Sequence, residues 1–105
     1  MAENAYTSTI YEFLMADLGK TDNMPAPTQL LLRGFIDSAV DQISREGITL
    51  DLSKADDQIT VSMYAAYLYR KRALSGDDSK MPRMLRYRLN NRLFAEKGAV
   101  FDDAA

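Results

Sequence analysis

Four arginines in the segment MPRMLRYRLNNRLF, residues 81 to 94, carry the strongest chemical signal in this sequence. Arg83, Arg86, Arg88 and Arg92 are threaded among Met84, Leu85, Tyr87, Leu89, Leu93 and Phe94. Guanidinium is a planar fork that grips carboxylates and phosphates with paired hydrogen bonds, so arginine is favoured at interfaces and on phosphate backbones. The chemistry on offer is recognition of an anion. On a helix, Leu85, Leu89 and Leu93 form an i, i+4, i+8 ridge for docking, flanked by Arg88 and Arg92. Arg83, Arg86, Asn90 and Lys97 fall on the far side beside Tyr87 and Phe94. The plainer reading of the same residues is a solvated basic face with snorkelling stems.

Little else points to catalysis. The chain has no cysteine and no histidine, which removes thiolate chemistry, disulfides, the commonest general base and the commonest transition-metal ligand together. There is no glycine-rich phosphate loop; GDDS at 76 to 79 does not sit between a strand and a helix. The paired carboxylates Asp56-Asp57 and Asp77-Asp78 could hold a hard cation, but caps and solvated turns explain them more simply. Tyr64, Tyr67 and Tyr69 read as core packing with hydroxyls at the rim rather than as a ligand cage. No cofactor, metal site or enzymatic activity is expected.

The net charge of −2 conceals a polarity. Residues 1 to 60 hold ten acids and four bases, a balance of −6, whereas residues 61 to 98 hold nine bases and three acids, a balance of +6. Such asymmetry suits a polyanionic partner for the basic half, pairing of unlike halves between copies, or neutralisation within one fold. The longest apolar runs, such as MYAAYLY, fall short of a membrane span, and the N-terminus lacks the features of a secretory leader. A soluble protein made in a cytoplasm is expected.

The elements that must position these residues are helices. An apolar stripe of Ile10, Tyr11, Leu14, Met15 and Leu18 predicts a helix over 8 to 18, capped by Thr7 or Ser8 and closed by Gly19. Pro25 and Pro27 interrupt, and Thr28 is then expected to cap a helix reaching Glu46 and Gly47, with Leu32, Phe35, Ile36, Ala39, Val40 and Ile43 inward. ITLDL alternates briefly, an extended piece too short to found a sheet. Ser53 and Asp56 resemble a capping box opening a long helix to about Leu74, with Gly76 beyond. That helix is apolar all round and should be the hub. Pro82 opens a last helix ending at Gly98. The expectation is an all-α fold, a small bundle of about four helices around a buried central helix. Residues 1 to 98 form a single domain and residues 99 to 105 an extended C-terminal tail around Phe101. Its core is expected from Leu32, Phe35, Ile36, Ala39, Ile43, Met63, Tyr64, Tyr67, Leu68, Leu85 and Leu89.

MYAAYLYRKRAL at 63 to 74 followed by MPRMLRYRLNNRLFAEKGA at 81 to 99 resembles the small helical head-tail connector proteins of tailed bacteriophages, the adaptor or head-completion family. GFIDSAVDQISREGI at 34 to 48 is similar to their preceding amphipathic helix, so the resemblance covers residues 28 to 98, and MPRMLRYxLNNRLF is its specific part. The resemblance implies a structural virion protein of the neck, synthesised in the host cytoplasm. It implies a homo-oligomeric ring of typically about twelve copies below the portal protein. Such a ring extends the DNA channel, lets viral DNA pass without sequence recognition, and docks a stopper or tail-completion protein. With the charge pattern, it assigns Arg70, Arg72, Arg83, Arg86, Tyr87, Arg88, Asn90, Asn91, Arg92, Phe94 and Phe101 to subunit or portal contacts. The competing reading is a small helical nucleic-acid-binding protein that lays its arginine-rich last helix on phosphates.

Overall fold

The computed structural model describes residues 6 to 20, 24 to 72 and 80 to 104, with side chains described as far as Glu96. Four helices follow in chain order: α1 (Thr7–Leu18), α2 (Ala26–Arg45), α3 (Ala55–Lys71) and α4 (Arg83–Ala104). The fold is all-α, with no strand among the described residues.

Helices α1, α2 and α3 pack against one another in pairs, and α4 lies on α3. The hub is thus α3, as its composition implies. The helices form a three-helix group carrying a fourth helix on one side. Small and short polar residues make the centre of α3 approachable: Thr60, Val61, Ser62, Ala65 and Ala66 are all buried. The Thr60 and Ser62 hydroxyls donate to the Asp56 and Ile59 carbonyls, so burying them leaves no polar group stranded. Ile59 is exposed, so α3 is not buried all round.

Seven of the expected core residues are buried: Leu32, Ile36, Ala39, Ile43, Tyr64, Leu85 and Leu89. Phe35, Met63, Tyr67 and Leu68 pack against them half-buried. Ile48, from the connection between α2 and α3, joins this core. Aromatic residues finish the rim: Phe35 meets Tyr69 edge to face at 6.2 Å, and the Arg72 guanidinium lies over the Tyr69 ring at 4.3 Å.

Helix ends follow backbone chemistry more than side-chain caps. Gly19 closes α1 in the left-handed region at φ 68°, its N–H donating to the Ala16 carbonyl. Neither Thr7 nor Ser8 caps α1; Tyr6 occupies that position and makes no side-chain cap hydrogen bond, and Thr7 is the first, buried helical residue. Thr28 does not cap α2. Pro25, at φ −57° and ψ 149°, sets the chain direction, and Pro27 tolerates a position in the first turn where no donor is needed. Ser53 does not cap α3 either, because Asp51 captures it: the Ser53 hydroxyl and N–H both donate to Asp51 Oδ1, at 2.6 and 3.1 Å. Lys54 holds the cap position of α3. The largest difference is at the C-terminus. Helix α4 runs through Gly98 to Ala104, so residues 99 to 104 are helical backbone, not an extended tail. Glycine inside a helix costs only about 1 kcal/mol, which flanking helix formers can offset. The expected end of α3 at Leu74 and Gly76 lies outside the described residues.

Candidate functional site

Helix α4 docks through two leucines. Leu85 and Leu89 are fully buried, which contributes about 1.5–3 kcal/mol each. Among the described side chains of α4, these two leucines and the half-buried Leu93 give a thin apolar contact, and the arginines beside them add directional bonds.

Arg92 reaches across to the start of α3. Its guanidinium donates to Asp57 Oδ1 and, through its other terminal nitrogen, to the Thr49 carbonyl at 2.6 Å. The Asp57 side chain is 3% exposed, and its second oxygen accepts the Asp51 N–H at 2.7 Å. A buried carboxylate is therefore held by one guanidinium, one amide and the positive end of α3. One turn further along α4, Glu96 Oε2 accepts the Thr49 N–H at 2.7 Å. Arg92 and Glu96 together occupy both backbone groups of Thr49. This pincer explains why ITLDL forms no strand: side chains satisfy the backbone groups a sheet would use, Gln58 Nε2 likewise donating to the Leu52 carbonyl at 2.7 Å.

Arg88 repeats the pattern one turn earlier. It donates to Asp56 Oδ1 at 2.7 Å, to the Asp56 carbonyl at 3.0 Å and to the Thr60 hydroxyl at 3.0 and 3.1 Å. Arg86 forms a two-pronged contact with Glu46 at the end of α2, at 3.2 and 3.4 Å. Glu46 borders an open groove of about 430 Å³ with Ser38, Asp41, Gln42, Arg45 and Tyr64. Burial raises the Tyr64 hydroxyl pKa above its ordinary 10.0, with the Glu46 charge adding to the effect; the hydroxyl donates to Gln42 Oε1 at 3.2 Å. Arg70 donates to the Asp17 carbonyl at 2.9 Å and pairs with its carboxylate at 3.5 Å, joining the end of α3 to the end of α1.

Of the residues expected in intermolecular contacts, Arg70, Arg86, Arg88 and Arg92 thus have carboxylate partners within the chain, and Arg72 stacks on Tyr69. The basic half neutralises the acidic half inside one fold at these positions. Sequence reasoning weighed that outcome but could not locate the pairs, because Glu46, Asp56 and Asp57 come beside α4 only through the turn after α2. Asn91 lines a second open groove with Asp56, Thr60, Arg88 and Arg92. The side chain of Phe101 lies outside those described.

What faces outward on α4 is a different set. Met84, Tyr87 and Phe94 are 68%, 67% and 67% exposed. Arg83 is exposed beside them and makes no hydrogen bond or ion pair with the described residues. Asn90 is exposed too, its amide oxygen facing Arg86 at 3.5 Å. The candidate site is therefore an interaction surface on the outer side of α4. Among the described residues no group of three acids stands ready to hold a metal ion, and no helix is long and apolar enough to cross a membrane.

Fold and surface together define a small all-α bundle with one solvent-facing, partly aromatic helix. Comparison with protein-family models, with curated proteins and with solved structures finds no match.

Proposed function

We propose that the protein is a structural connector subunit of a tailed bacteriophage, one copy of an adaptor ring in the neck of the virion. In this reading the ring sits below the portal protein, extends the DNA channel and receives the stopper or tail-completion protein. The reading rests on the likeness of residues 28 to 98 to that family, and one structural observation supports it above the others. Helix α4 is anchored through Leu85, Leu89, Arg88 and Arg92, yet keeps Met84, Tyr87 and Phe94 in solvent beside Arg83. Large aromatic and sulfur-bearing side chains with arginine are the composition of protein interfaces. A role of this kind is mechanical, with no turnover and no cofactor.

The competing nucleic-acid reading needs the arginines of α4 free for phosphates. The engagement of Arg86, Arg88 and Arg92 with carboxylates takes away its main support. Mass measurement on purified virions tests the proposal directly. The polypeptide should be present in many copies per particle, and its absence from intact particles overturns the reading.

A further inference from the structure

Two exposed stripes on different helices have matching spacing. On α4, Arg83, Tyr87, Asn90 and Phe94 follow one another at steps of four, three and four residues. On α2, Leu30, Gly34, Asp37 and Asp41 follow at the same steps, and all four are exposed, Leu30 to 74%. Each stripe spans about 16 Å at 1.5 Å per residue. Set antiparallel, they bring Arg83 to Asp41, the Tyr87 hydroxyl to Asp37, Asn90 to Gly34 and Phe94 to Leu30. The cation meets an anion, the phenol meets an acceptor, and apolar meets apolar.

Gly34 adds shape to this register. A Cβ built there meets nothing within 4 Å, so the outer side of α2 is low at that point and lets an opposing helix approach. The two stripes do not meet within one chain: both lie open to solvent while α4 is packed on α3.

We propose that the outer stripe of α4 docks on the outer stripe of α2 in a second copy of this chain, a head-to-tail contact that deepens the connector reading and rests on it. Charge chooses this occupant. Pairing α4 with another α4 leaves Arg83 without a carboxylate, whereas the unlike pairing gives it Asp41, whose partner within the chain is the exposed Arg45 one turn along at 3.1 Å, and gives Asp37 the Tyr87 hydroxyl. Because the donor and acceptor patches differ, each copy offers one of each, and the contact propagates into a ring or filament. One helix pair buries less than the roughly 1,200 Å² of a stable interface, so assembly depends on high local concentration such as a template provides.

The natural absence of cysteine makes the test direct. Gly34→Cys and Asn90→Cys variants, one carrying a mobility tag, are mixed at high concentration and oxidised. Both positions are exposed, and Gly34 has room for the side chain. The heterodimer should form about tenfold more than in a control mixture of Glu12→Cys with Asn90→Cys. Adding Arg83→Glu to the Asn90→Cys chain should remove that excess, and adding Asp41→Lys to its Gly34→Cys partner should restore it. A yield equal to the control, a yield indifferent to both charge changes, or a dominant Asn90→Cys homodimer overturns the contact. If the polypeptide is nonetheless present in purified virions, the connector reading stands and only this contact is withdrawn.

Discussion

Replacing Arg92 with alanine should be among the most damaging single changes outside the apolar core. Asp57 is 3% exposed and has two ligands, the Arg92 guanidinium and the Asp51 N–H. Losing one partner of a buried ion pair typically costs about 3–5 kcal/mol, because the surviving charge stays desolvated. The Arg92 side chain is itself 26% exposed, so water can reach part of the site, which favours the lower end. Its bond to the Thr49 carbonyl contributes about 1 kcal/mol more. The sum for Arg92→Ala is about 3–4 kcal/mol, a large share of the roughly 5–15 kcal/mol that holds a domain together. Asp57→Asn should cost less, about 1–2 kcal/mol, since it keeps an acceptor for Asp51 and frees Arg92 to turn toward solvent. Urea unfolding of wild type, both single variants and the double variant gives the coupling, expected at about 1–3 kcal/mol. Because the pair is buried, the cost should persist in about 1 M salt, where exposed pairs such as Arg45–Asp41 are screened. A loss below about 1 kcal/mol for Arg92→Ala, with no coupling to Asp57, refutes the assignment of this pair as the anchor of α4.

Other expectations are as specific. Gly34→Ala should stabilise the isolated protein by about 0.5–1 kcal/mol, since the helix interior has space for the methyl group, while Gly19→Ala should destabilise it by about 1–2 kcal/mol at its φ of 68°. Thermal unfolding of both reads opposite signs, and a gain at Gly19 contradicts the left-handed closure of α1. Tyr64 has its hydroxyl pKa raised by burial, so its share of stability is full below pH 10.0 and is lost as pH rises through the folded-state value. Wild type should therefore lose more stability than Tyr64→Phe as the pH is taken above 10.0, and parallel curves would reject the cause. In gel retardation at low salt the isolated protein should leave duplex DNA unshifted; a salt-sensitive shift abolished by Arg83→Glu would revive the phosphate-binding reading.

Periodicity carried the fold, because each helix buries one stripe and the stripes are local in sequence. Leu32, Ile36, Ala39 and Ile43 lie at near-helical intervals and are all buried, as their spacing requires. Helix starts were less legible. Ser53 and Thr28 have the right residue types for caps, but Asp51 captures Ser53, and Pro25 sets the direction of α2 before Thr28 is reached. The long-range ion pairs were not legible at all. A wheel drawn on α4 separates ridge from flank, but it cannot say that the flank meets the first turn of α3, since that depends on how 46 to 54 folds back. The leucine ridge is present, with Leu85 and Leu89 buried and Leu93 half-buried against the core. The anion that three of the α4 arginines hold proved to be in the same chain.

That outcome gives the charge polarity of the sequence a structural cause. Glu46, Asp51, Asp56 and Asp57 fall within twelve consecutive residues, at the turn where α2 gives way to α3. Helix α4 has only two fully buried leucines to fix its position, and sliding by one turn would exchange one leucine for another at small cost. Directional bonds remove that freedom. Arg88 fits Asp56 and Thr60, and Arg92 fits Asp57 and Thr49. A shift of one turn in one direction sets Glu96 against the buried Asp57 carboxylate; in the other it hands Asp57 to Arg88 but leaves Asp56 and Thr60 facing Met84. Ion pairs with buried members add less to stability than to uniqueness, and here they specify the register of a thinly packed helix. Fixing the register of α4 also fixes which side chains it turns outward. The order of Arg83, Tyr87, Asn90 and Phe94 on the surface is thus set by carboxylates on the opposite side of the same helix. Weakening Arg92 should accordingly blur that outer stripe before it unfolds the bundle.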